Sequence, residues 1–117
     1  MSLAFPDPVG AVLDSALDGL STRQQVIADN IANVDTPGYR ATSVDFESAL
    51  MSAIESGNPG AVTPVATATD TPVGANGNNV DLRKETLAAV QSQFQYQVLT
   101  RAAGDRFDLV RTVAQGR

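Results

Sequence analysis

The chain of 117 residues contains no cysteine, no histidine and no tryptophan. Without cysteine there is neither a disulfide nor a thiol nucleophile. Without histidine there is no imidazole acid–base chemistry and almost no route to a zinc site. The missing thiols fit an oxidising and a reducing compartment equally well. Aromatic residues are few, four Phe and two Tyr, which is thin material for a free-standing core. No run approaches the roughly 18 apolar residues that a membrane-spanning helix needs. The opening stretch MSLAFPDPVGAVLDSALDGL has no Lys or Arg, and Asp14 and Asp18 interrupt its apolar run. No cleaved secretory signal is expected from it. Basic charge is also in short supply: the net charge is −5, which speaks against nucleic acid as a main partner.

What is present is long amphipathic pattern at both ends. Asp7 and Pro8 suit the N-cap and first position of a helix. Leu13, Leu17, Leu20, Gln24, Ile27, Ile31 and Val34 then follow at alternating steps of four and three, a heptad seam with one polar member. The pattern stops at Asp35-Thr36-Pro37-Gly38. Pro37 disfavours the helical region for Thr36, and Gly38 can take the positive φ that a type II turn requires. Arg40, Thr42, Val44 and Phe46 alternate with smaller or polar residues and predict a short extended segment. Asp45 is placed to cap a small helix with Phe46, Leu50, Ala53 and Ile54 on its apolar face, and Gly57 lies where that helix should end.

Residues 56–79 are built almost wholly from Gly, Pro, Ala, Thr, Asn, Ser and Val, with Asp70 the only charge. This composition predicts a flexible linker or loosely held loop, with an isolated hairpin over Val62–Val73 as the alternative. Asp70–Asp81 superficially matches a calcium loop but fails it. Pro72 and Gly74 stand where ligands belong, Ala75 replaces the required Gly, and Asp81 replaces the bidentate Glu. Asp81 instead caps a last helix predicted over Leu82 to about Ala114, roughly 50 Å long. Its apolar stripe is Leu87, Val90, Phe94, Val98, Ala102, Leu109 and Val113, flanked by Leu99, Phe107 and Val110. Gly104 weakens its middle by about 1 kcal/mol, and Gly116 suits its end.

The predicted fold is therefore mainly α: two long terminal helices forming a coiled-coil-like helical hairpin. The units are the N-terminal helix (1–36), a turn, extended segment and short helix (37–55), the linker (56–79) and the C-terminal helix (80–117), one structural unit in all. Residues 1–59 carry eight acids against two bases, and residues 60–117 five acids against six bases. The two ends are thus weakly complementary. Each presents a stripe that needs a cover, from the other helix, from neighbouring subunits, or from both. Enzyme readings are weak. No glycine loop has the setting of a phosphate site, and the carboxylate pairs Asp45/Glu47 and Asp105/Asp108 read as capping or solvated groups rather than acid–base pairs. No metal or cofactor is expected. Tyr39 is expected to pack against the helix it leaves.

The string ADNIANVDTPGYR (Ala28–Arg40) closely resembles the asparagine-rich N-terminal signature of the axial proteins of the bacterial flagellum, the rod, hook and hook-associated subunits. VDFESAL (Val44–Leu50), NNVDLRKE (Asn78–Glu85), QFQYQVLTR (Gln93–Arg101) and FDLVRTV (Phe107–Val113) extend the likeness to proximal rod subunits over both ends of the chain. The resemblance implies a non-enzymatic building block. Asn30, Asn33, Thr36, Pro37, Gly38 and Tyr39 would matter for folding and subunit contacts, and the terminal helices would line the core of a tubular assembly. It further implies export by the flagellar type III apparatus. The implied place is the rod of the basal body, and the implied partners are other rod proteins, a rod-base adaptor and the membrane ring. The competing expectation is a stand-alone helical adaptor or secreted coiled-coil protein that shares the pattern.

Overall fold

The structure is a computed structural model that describes residues 8–115. The elements run α1 (Pro8–Ala32), β1 (Thr42–Val44), α2 (Phe46–Glu55), a single 3-10 turn (Pro59–Ala61), β2 (Ala66–Ala68) and α3 (Leu82–Ala114). Pro8 is the first residue of α1, as its fixed φ favours; the capping role expected of Asp7 and the helix-ending role of Gly116 fall outside the described residues. The molecule is elongated, 64 × 27 × 20 Å.

Helix α1 ends two residues earlier than its heptad pattern suggests. The Val34 N–H donates to the Ile31 carbonyl at 3.2 Å, a tightened i→i−3 bond. Val34 therefore lies in the exit turn, half-buried, rather than on the helix seam. The next turn forms as expected: the Tyr39 N–H donates to the Thr36 carbonyl at 3.2 Å across Pro37 and Gly38. Gly38 has φ +78°, the value of the second central position of a type II turn. Asp45 caps α2 by accepting the Ser48 N–H, and Asp81 caps α3 by accepting the Lys84 N–H. Helix α3 runs unbroken for 33 residues through Gly104.

The segment expected as a flexible linker carries structure. Its strand β2 pairs antiparallel with β1, in the register Thr42↔Ala68, Ser43↔Thr67 and Val44↔Ala66. β2 lies inside the range of the alternative hairpin, yet its partner comes from before α2 and not from within the segment. The segment is also tied back at the 3-10 turn, where the Ser15 hydroxyl donates to the Pro59 carbonyl at 2.6 Å.

Helix α1 has two buried sides. One meets β1, α2 and the 3-10 turn, around a cluster of Ala16, Leu20, Val44 and Phe46 with Leu50, Val26 and Leu99 packed against it. The Phe46 ring sits directly over Gly19, where an added Cβ would fall 2.3 Å from a ring carbon. A glycine in mid-helix is costly; here it is the space the ring occupies. The other side meets α3, which runs in the opposite sense. Asn30 near the end of α1 bonds Glu85 near the start of α3. At the far end Asp14 and Leu17 line a groove with Ala103, Gly104 and Phe107.

The face that α3 turns to α1 is not its large-residue stripe. Glu85 and Ser92 are buried, and Ala88, Ala89, Leu99, Ala103 and Arg106 are half-buried. These positions repeat on one side of the helix, and the small ones let the two backbones approach. Leu87, Val90, Phe94, Val98, Leu109 and Val113 are 50–69% exposed, and Ala102 is exposed as well. Of the two covers left open for that stripe, the chain's own first helix is therefore not the one used. On α1, Leu20 and Ile27 are buried and Leu13, Leu17, Gln24 and Ile31 half-buried.

Candidate functional site: an asparagine clasp

Where α1 ends, four side-chain amides join four separate pieces of chain. Asn30 is fully buried. Its Nδ2 donates to the Thr42 carbonyl at 2.8 Å and to Glu85 Oε1 at 2.9 Å. Its Oδ1 accepts the Thr42 N–H at 3.2 Å and the Tyr39 hydroxyl at 3.3 Å. An amide side chain offers two N–H donors and two oxygen lone pairs, so every bonding position of Asn30 is used. Toward Thr42 it imitates a strand's peptide group, closing the edge of β1 that β2 leaves open. Arg23 closes the same edge further along, donating to the Val44 carbonyl.

Asn33 and Thr36 shape the turn itself. Asn33 Nδ2 donates to the Asp29 carbonyl at 2.8 Å, and its Oδ1 accepts the Thr36 hydroxyl at 3.0 Å. The chain leaving β2 then arrives from the other side. Asn78 Nδ2 donates to the carbonyls of Asn33 and Thr36, both at 2.8 Å. Each of these carbonyls also accepts a backbone N–H of the exit turns, Asn33 from Thr36 and Thr36 from Tyr39, so Asn78 ties the loop to both turns at once. Asn79 Oδ1 accepts the Ala41 N–H at 2.6 Å, and the Asn79 N–H donates to the Tyr39 carbonyl at 3.3 Å. Gly38 and Gly77 lie back to back. The Gly38 N–H donates to the Asn76 carbonyl at 3.0 Å, and a Cβ on Gly77, whose φ is +81°, would lie 3.2 Å from Gly38 Cα. Arg40 Nε adds a bond to the Gly77 carbonyl.

The expected signature residues are thus gathered at one place: Asn30, Asn33, Thr36, Gly38 and Tyr39 take part through hydrogen bonds, and Pro37 through the turn it initiates. Tyr39 does fold back on the helix it leaves, through its hydroxyl to Asn30. The pattern reading missed Asn78, Asn79, Gly77 and Glu85, the other half of the clasp. Their signal was weak, a polar Asn-rich loop being the usual mark of solvent exposure, yet Asn78 and Asn79 are buried.

Several charged groups outside the clasp make contacts within the subunit. Arg23 lies over the Phe46 ring at 4.7 Å and makes a forked pair with the Glu47 carboxylate. That hydrogen bond holds the Glu47 carboxyl below its ordinary range. Asp45 is a cap, and Asp108 pairs with Arg111 one turn along α3. Among the described residues no group of acidic side chains is arranged to hold a metal ion, and no helix is long and apolar enough to cross a membrane.

The described residues thus form two long helices clasped at one end, with an apolar stripe of α3 left exposed. The family model for flagella basal body rod proteins matches residues 12–40, the stretch from the second turn of α1 through the clasp turn. Over most of its length the chain is similar to three flagellar basal body rod proteins FlgB. It is 34% identical to that of Bacillus subtilis (strain 168), covering 89% of this chain and 91% of the relative. It is 31% identical to that of Escherichia coli (strain K12), covering 86% and 88%, and 30% identical to that of Borreliella burgdorferi, covering 83% and 88%. The chain belongs to the FlgB family of flagellar basal body rod proteins. It is a structural protein, not an enzyme.

Proposed function

We propose that the chain is a subunit of the proximal rod, the part of the flagellar drive shaft between the membrane ring and the distal rod and hook. It is exported through the flagellar type III apparatus and polymerises through its terminal helices, which act as a coiled-coil-like hairpin. Its neighbours are further copies, other rod proteins, the rod-base adaptor and the membrane ring. The observation that carries this reading is the stripe Leu87, Val90, Phe94 and Val98, at least half exposed along its length. Each such side chain gains about 1.5–3 kcal/mol when fully buried, and a contiguous exposed patch marks an interaction surface. Membership of a rod family supplies the kind of surface that covers it.

The test is genetic and biochemical together. Deleting the gene in a flagellated host should abolish filaments, and the chain supplied in trans should restore them and co-purify with basal bodies. Normal swimming after the deletion, with the chain recovered outside basal bodies, would instead favour a stand-alone helical adaptor.

A further inference from the structure

We infer that the large-residue face of α3 in one subunit seats on the acidic outer face of α1 in a second copy. The inference rests on the rod reading and says which two faces meet. Three observations carry it. The first is shape. On α1 the positions turned away from both α3 and the sheet are Asp18, Ser21, Gln25, Ala28, Asp29 and Ala32, all exposed. They include no large apolar residue. A smooth helix face of this kind accepts the projecting Leu87, Val90, Phe94 and Val98, as ridges of one helix fit grooves of another.

The second observation is charge. The only charged residues on the α3 face beside the stripe, from its start to Arg101, are Arg83 and Arg101, both exposed. The outer face of α1 carries only acids, Asp18 and Asp29, with exposed Asp35 just beyond its end. A contact between two α3 stripes would set arginine against arginine. A contact between two α1 faces would set aspartate against aspartate. Beyond Arg101 the same face carries exposed Asp105, one heptad after Val98; over the stretch from Arg83 to Arg101 it is the mixed contact that pairs opposite signs, and like-charge juxtaposition is costly at an interface.

The third is height. Within the subunit Asn30 stands level with Glu85, and Leu99 packs against the cluster that holds Leu20. Arg101 therefore stands level with Asp18, and Arg83 with the end of α1 near Asp35. A second copy placed alongside in the same orientation, without axial displacement, brings both charge pairs together. Because the two faces lie on different sides of one subunit, each copy offers one of each. Such a heterologous contact propagates from copy to copy rather than closing as a pair.

The test exploits the absence of native cysteine. A chain carrying Ser21→Cys and Val98→Cys is produced in flagellated cells in place of the natural copy and exposed to a mild oxidant. Both positions are on the outside of the subunit and stand at the same height. The expected result is a ladder of covalent oligomers, with neither single-cysteine chain giving more than traces of dimer. Dimers of the Val98→Cys chain alone, at the yield of the double variant, would overturn the inference in favour of an α3–α3 contact. Basal bodies that contain the chain but give no covalent products would overturn it and leave the rod reading standing; basal bodies without the chain would end both. A charge exchange gives a second, independent readout. Arg101→Glu should lower the amount of chain in purified basal bodies about tenfold, and adding Asp18→Arg should restore it. Absence of either the loss or the rescue would overturn the pairing.

Discussion

The two ends of the helix pair are built on opposite terms. At the clasped end Asn30, Asn78, Asn79 and Glu85 are buried polar groups, and hydrogen bonds join α1, β1, the loop before α3 and α3 itself. At the other end, and along the outside of α3, large apolar groups stand exposed: Phe94 at 66%, Leu109 at 61% and Val113 at 69%. Buried amides are tolerated only when their bonding is complete, and that of Asn30 is complete within one chain. Exposed leucine, valine and phenylalanine in a continuous stripe have no such completion among the described residues. The contrast teaches where the subunit finishes itself and where it waits for something else. The clasp sets the angle and height of the two helices, and the stripe is what that setting presents.

The sharpest way to break this contrast is at Asn30. Asn30→Ala removes all four of its bonds and leaves buried groups of Thr42 and Glu85 without partners. With each buried orphan costing about 1–3 kcal/mol, urea unfolding should show a loss on the order of 3 kcal/mol. A loss below about 0.5 kcal/mol would mean the amide network is ornamental.

Gly19→Ala should come next. The new methyl would enter the Phe46 ring, and overpacking of this kind costs about 1–3 kcal/mol, set against a gain of up to about 1 kcal/mol from helix propensity. A thermal melt should show net destabilisation, and Gly19→Ala combined with Phe46→Leu should recover part of it. A melt above that of the parent protein would show that the ring moves aside freely.

The smallest effect belongs to Arg23 and Glu47. The Glu47 carboxyl is held below its ordinary value of 4.5 by the Arg23 hydrogen bond. A lowered carboxylate stabilises the folded state above its unfolded pKa, and that contribution disappears as pH falls through the folded pKa. The Glu47 side chain is 52% exposed, so the gain over Glu47→Gln at neutral pH should stay under about 1 kcal/mol. Unfolding curves of the two proteins should converge as the solution is acidified past the ordinary carboxylate range. A difference that persisted unchanged into strong acid would remove the ion pair as its cause.

Local signals were legible wherever one short stretch decides the outcome. Asp81 and the periodicity after it mark a helix from Leu82 to Ala114, Asp45 marks the start of α2, and Pro37-Gly38 marks the turn. Contacts that depend on distant chain were not legible. β2 is three small residues, Ala66-Thr67-Ala68, in a Thr- and Pro-rich segment, and only the arrival of β1 makes it a strand. Asn78 and Asn79 fell within a stretch read as a loosely held loop, because nothing nearby in sequence announces their partners, the Asn33 and Thr36 carbonyls and the Ala41 N–H. The sidedness of α3 was hidden for a further reason. Two stripes of similar period run along it, and size draws attention to Leu87, Val90, Phe94 and Val98. Close approach of α1 instead selects the smaller Ala88, Ala89 and Ser92. The mid-helix glycine at position 19 likewise explains itself only once Phe46 is in place.

The central claim is that the clasp completes the subunit while the α3 stripe is completed by assembly. The most direct test is the amount of a Phe94→Ser, Val98→Ser chain found in purified basal bodies, measured for a variant whose isolated subunit unfolds within about 0.5 kcal/mol of the parent, as expected for exposed positions. The account predicts a stable subunit that is missing from the rod. A variant that enters basal bodies at the parent level and supports normal swimming would contradict it.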